Sequence, residues 1–71
     1  MPYSFREIKK RLIKLGYFIA RQSGGSHVIF KKAGHKTISL PNHGGKDISK
    51  GVEMQIIKTL KLNPDTFRNI K

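Results

Sequence analysis

The residues best able to do chemistry cluster in one short segment, Arg21-Gln22-Ser23-Gly24-Gly25-Ser26-His27. An unperturbed imidazole titrates near pH ~6.5, so it can accept or donate a proton at neutral pH. A histidine where a glycine turn opens into a strand can be held rigidly and still meet solvent. On residue types alone, a surface histidine without a role is the ordinary alternative. Ser26 is adjacent to His27 in sequence, yet neighbours on a strand point to opposite faces, so a Ser–His nucleophile pair is geometrically poor. Ser26, with Gly24 and Gly25, is expected to shape the turn.

Metal chemistry finds little support. His27, His35 and His43 recur every eight residues, which matches no local ligand motif, and the chain has no cysteine. Two-metal nucleases need clustered carboxylates. Here Glu7, Asp47, Glu53 and Asp65 are scattered along the chain. Neither a metal nor another cofactor is expected.

Amphipathic elements surround the segment that carries His27. Ser4 and Glu7 have the spacing of a capping box, with Tyr3 and Ile8 placed as a hydrophobic staple. Phe5, Ile8, Leu12 and Leu15 then share one helical face, Arg6, Lys9, Lys10, Arg11 and Lys14 lie mostly elsewhere on the cylinder, and Gly16 stops the helix. Strands are predicted over 17–23, 27–31 and 36–40, separated by Gly24-Gly25 and Ala33-Gly34-His35 and ended by Pro41. Val28, Ile29 and Phe30 are all apolar, which leaves two choices of buried face. The preferred choice packs Val28 and Phe30 inward and turns His27 and Ile29 outward.

A glycine-rich loop spans 42–46. Asp47 is read as the N-cap of a second helix whose stripe is Ile48, Val52, Ile56 and Leu60. Gly51 costs that helix propensity, which suggests close packing. Asn63-Pro64-Asp65 reads as a fresh helix start. Residues 63–71 therefore form a short C-terminal helix or a frayed tail beyond a domain of residues 1–62. The predicted fold is α+β: helix, three-stranded antiparallel sheet, helix, as in double-stranded-RNA-binding domains.

With 71 residues the chain has room for one domain. Its 15 Lys plus Arg against 4 Asp plus Glu give a net charge of +11. Such a field attracts polyanions, nucleic acid first among them. No segment has the roughly 20 apolar residues of a membrane span. The opening MPYSFREIKK has no apolar run of the secretory kind, so a cytoplasmic location is expected.

Several motifs together resemble one known family. Gly16-Tyr17, Arg21-Gln22, Gly25-Ser26-His27 and Phe30 are followed by Leu40-Pro41-Asn42-His43, then Lys46-Asp47-Ile48 and Gly51. Their order and spacing are similar to those of HicA toxins, over about Ser4 to Leu62. One departure is the second glycine before Ser26-His27, where members often carry one. The resemblance implies a toxin of a type II toxin–antitoxin system that cleaves messenger RNA and stops translation. It implies the double-stranded-RNA-binding fold, an essential histidine at His27, and a HicB-like antitoxin that masks the active surface.

The residues are compatible with that implication. RNA carries its own nucleophile, the 2′-hydroxyl, and His27 is the candidate base or acid. Arg21, Lys31, Lys32, His43 and Lys46 are the candidates for contacting substrate, Arg21 being the nearest in sequence. Tyr17, Phe18 and Phe30 could stack on bases, although Phe18 and Phe30 fit a core better. The alternatives are a non-catalytic RNA-binding module and an interaction domain for an acidic protein.

Overall fold

The computed structural model describes residues 2–22, 27–42 and 46–70. The first helix, α1 (Phe5–Lys14), starts at the expected capping box. The Glu7 amide donates to Ser4 Oγ (3.2 Å) and the Ser4 amide to Glu7 Oε1 (2.9 Å), so both orphan donors are satisfied. Ile8 and Leu12 are fully buried. Gly16, at φ +97°, closes the helix. Its amide donates to the Ile13 carbonyl and that of Tyr17 to Leu12, the paired bonds of a Schellman turn.

Three antiparallel strands follow: β1 (Phe18–Gln22), β2 (His27–Lys31) and β3 (Ile38–Pro41), with β2 in the middle. Pro41 lies inside the last strand rather than beyond it. It belongs to a sheet edge, where a residue without an N–H is tolerated. Val28, Phe30, Ile38 and Leu40 are buried and join Ile8, Leu12, Ile56 and Ile57 of the helices in one core. The helices therefore cover one side of the sheet. A bulge between Ile19 and Arg21 shifts the β1–β2 register, pairing Phe18 with Lys31 and Arg21 with Ile29. Directly paired residues share a side, so the bulge places Phe18 and Arg21 together on the open side.

The second helix, α2 (Lys50–Leu60), is capped by Ser49, whose Oγ accepts from the Val52 amide (3.3 Å), and not by Asp47. Asp47 instead forms an antiparallel bridge with Ser4, and the Ile48 amide donates to the Tyr3 carbonyl (2.7 Å). Burying Ile48 against this extended segment delays the helix by two residues. Ile48 thus precedes the helical stripe, whose buried members are Glu53, Ile56 and Ile57. The Glu53 carboxylate lies 3.8 Å from the Lys50 ammonium. No close packing surrounds Gly51: a Cβ there would meet nothing within 4 Å.

A third helix, α3 (Pro64–Arg68), begins at Asn63, whose Oδ1 accepts from the Thr66 amide (2.8 Å). It is docked on α1. Phe67 is completely buried and meets the Tyr3 ring edge-on at 5.4 Å. The Arg11 guanidinium lies over both rings and donates to the carbonyls of Glu7, Phe67 and Arg68 at 3.0–3.1 Å. Arg11, grouped by helical spacing with the solvated basic face, is thus the clamp that holds the C-terminal helix. Among the described residues, no helix is long and apolar enough to cross a membrane.

Candidate functional site

His27 opens the central strand. It is exposed, while the next residue, Val28, is 2% exposed, and the alternation continues through Ile29, Phe30 and Lys31. Of the two ways to bury this strand, the structure takes the one with Val28 and Phe30 inward. His27 therefore lies on the opposite side of the strand from Val28 and Phe30, and the buried part of the sheet anchors it. His27 pairs with Pro41 and Ile29 with Ser39. His27, Ser39 and Pro41 meet α2 in an open cleft of about 410 Å³ that Gly51, Val52, Gln55 and Ile56 also line.

Arg21 is exposed on β1, directly opposite Ile29, and so shares the His27 side of the sheet two residue pairs away. Lys31 is exposed on that side too, four residues along β2, or about 13 Å at the usual strand rise. Phe18 stands opposite Lys31 and is 55% exposed, which overturns its assignment to the core. Tyr17 and Phe30 do belong to the core, and burial pushes the Tyr17 hydroxyl pKa up.

Lys32 is engaged within the fold. Its ammonium donates to the Leu15 carbonyl (2.6 Å) at the end of α1 and lies over the Tyr17 ring. That contact caps a helix terminus whose dipole favours a cation. Lys46 is exposed beside the Asp47 bridge and does not line the His27 cleft. His43, Gly24, Gly25 and Ser26 lie outside the described residues. Among the described residues, no three His, Asp or Glu side chains come together as a metal site.

Sequence reasoning passed over Gln55 and Ser39 and gave Gly51 only a packing role. The signal for two of them was present. Gly51, Gln55 and Thr59 recur at four-residue spacing, one polar stripe alongside the buried Ile56. Gly51 lines the cleft and a Cβ there would meet nothing within 4 Å.

No curated protein matches the chain. The family model described as HicA toxin of bacterial toxin–antitoxin matches residues 5–62, from the first residue of α1 to just past the end of α2. With four-fifths of its length so matched, and with the helix–sheet–helix arrangement in place, the chain belongs to the HicA family of toxins, which are paired with antitoxins.

Proposed function

We propose that this toxin is a metal-independent endoribonuclease that cleaves messenger RNA and thereby inhibits translation, with His27 as the general acid or base. The observation that carries this reading is the placement of His27: an exposed imidazole at the start of the central strand, lining an open cleft, in a chain of net charge +11. The charge draws RNA to the surface, and the rigid strand holds the ring.

In the reaction, the ribose 2′-oxygen loses its proton and attacks the adjacent phosphorus, and the 5′-oxygen leaves and is protonated. The products end in a 2′,3′-cyclic phosphate and a 5′-hydroxyl. His27 removes the first proton or supplies the second. Arg21, on the same side, stabilises charge developing on the phosphate. Lys31 contacts the RNA backbone farther along that side, and His43 and Lys46 contact it from the loop after β3. Gly24, Gly25 and Ser26 shape the turn that presents the imidazole. The partner is an acidic HicB-like antitoxin that covers this surface, in the cytoplasm.

The test is to incubate wild type and His27→Ala with messenger RNA in chelator and map the cut ends. Cleavage by the wild type alone, with cyclic phosphate ends, is the expected result. Equal cleavage by both proteins, or none by either, would remove the basis for the assignment. A second reading, a non-catalytic RNA-binding module, draws on the exposed Phe18 beside Lys31, an aromatic surface on which bases could stack. It predicts intact RNA with either protein and weaker binding after Phe18→Ala.

A further inference from the structure

A second cleft opens at the other end of α2. It measures about 570 Å³, and its cationic lining is Lys36, Lys58 and Lys61, with His35 beside them. Gln55 lines both this cleft and the one at His27, so the two are neighbours along the β3–α2 edge. The distance is short. Three residues of near-extended chain separate Ser39 from Lys36, about 10 Å, and ten helical residues separate Gly51 from Lys61, about 15 Å.

Three features of this second cleft are unexplained by folding. Lys36 approaches from the turn before β3 and Lys58 and Lys61 from α2, so two separate elements converge like charges on one space. No acidic side chain lines it, and among the described residues none of the three lysines has a salt-bridge partner. The helix dipole accounts for a cation near the end of α2 but not for Lys36. Lys61, at φ 59°, is moreover the one non-glycine residue among those described with positive φ. Gly16 fills the corresponding place at the end of α1. A lysine kept where glycine fits better points to a use for its side chain. His35 adds a fixed polar atom: Nδ1 lies 3.0 Å from the Ala33 carbonyl and must carry the proton there, leaving Nε2 for another partner.

We propose that Lys36, Lys58 and Lys61 form a phosphate-binding subsite for single-stranded RNA, holding the strand that runs through the His27 cleft a few nucleotides from the bond that is cut. This rests on the nuclease reading for its substrate, but it concerns binding and can be measured apart from cleavage.

The experiment follows the binding of a labelled single-stranded RNA oligonucleotide by fluorescence anisotropy from low to moderate salt. All proteins are the full chain carrying His27→Ala, so that the RNA stays whole. Lys36→Gln, Lys58→Gln and Lys61→Gly are combined, and the control combines Lys9→Gln, Lys10→Gln and Lys14→Gln on α1. Both triples lose the same charge. Each lost phosphate contact lowers the slope of log K against log salt by about 0.7 for a single strand, so the cleft triple should lose about 2. The control should lose less than one contact's worth. Thermal unfolding confirms that both triples are folded.

Equal loss in the two triples would mean diffuse attraction, and an unchanged slope in the cleft triple would mean no subsite; either overturns the proposal. Retained RNA binding with lost affinity for the antitoxin would assign the cleft to an acidic protein and overturn it too. Wild-type cleavage, measured in parallel, separates the two ideas. No cleavage with the slope difference intact sinks the nuclease and leaves the subsite, and the reverse sinks the subsite alone.

Discussion

His27 stands directly across the β2–β3 ladder from Pro41, and the next pair in, Val28 with Leu40, is buried. Among the described residues, the imidazole therefore sits at the end rung of a ladder whose neighbouring rung is part of the core. Position is supplied by the backbone and accessibility by the open side. Because the ring is exposed and makes no described hydrogen bond, the fold does not depend on it. His27→Gln should keep thermal stability within about 0.5 kcal/mol of wild type, as surface substitutions do. Its RNA cleavage should fall by about 10²–10⁴, the usual contribution of a proton-transfer group. A large loss of stability, or retained cleavage, in parallel melting and initial-rate measurements would contradict this.

Gly51 separates a stability effect from a site effect. A Cβ there meets nothing, so Gly51→Ala should stabilise α2 by up to about 1 kcal/mol through helix propensity. Gly51→Leu should fold equally well, and it places bulk at a position that lines the cleft beside His27. Cleavage should then drop at least about tenfold through misplaced substrate. Urea titration and kcat/KM on the two variants check both halves, and a Leu variant with full activity would show that this part of the cleft is not used.

Most of the architecture was legible in the residue pattern because its determinants are local. The capping box at Ser4 and Glu7, the glycine stop at Gly16 and the alternation through β2 each act within a few residues. What was not legible depends on distant partners. The Ser4–Asp47 bridge moves the start of α2, the β1 bulge turns Phe18 outward, Arg11 leaves the basic face of α1 for carbonyls of α3, and Lys32 turns to the Leu15 carbonyl. The site divides in the same way. His27 was visible as a residue type at a turn, whereas the cleft beside it is made by α2 approaching β3, and no local pattern announces that approach.

Arg11 gives the clearest test of the C-terminal clamp. It makes three hydrogen bonds to carbonyls and lies over two rings, 4.8 Å from the centre of Tyr3 and 5.7 Å from that of Phe67. A charged hydrogen bond is worth about 1.5–3 kcal/mol. Lysine cannot reproduce the planar fork, so Arg11→Lys should cost about 2 kcal/mol in urea unfolding. Phe67→Ala should cost more, about 3–5 kcal/mol, since the ring is fully buried. Hydrogen exchange at the Phe67 and Asn69 amides should speed up in both. Unchanged exchange would mean that α3 is held by something else.

Lys61 predicts an opposition between folding and binding. A left-handed backbone suits glycine and costs other residues roughly 1 kcal/mol. Lys61→Gly alone should therefore raise stability by about that amount. Thermal melts of the single variant decide it. A fall in stability would mean that the side chain is kept for packing.

The capping box adds an acid-dependent component to stability. The Glu7 carboxylate is held below its ordinary value first by the Ser4 backbone amide, then by the Ser4 hydroxyl and the nearby Arg11 charge. A carboxylate with a lowered folded-state pKa adds stability above its unfolded value, and that stability is lost as pH falls through the folded value. The loss should therefore develop below pH 4.5, the ordinary glutamate value. Glu7→Gln keeps an acceptor for the Ser4 amide but cannot titrate, and its neutral amide suits the start of a helix less well than a carboxylate. Urea unfolding of the two proteins at several pH values should show wild type more stable near neutrality, with the gap narrowing under acid. A gap that stays constant down to strong acid would mean that the charge on Glu7 plays no part in holding α1 in place.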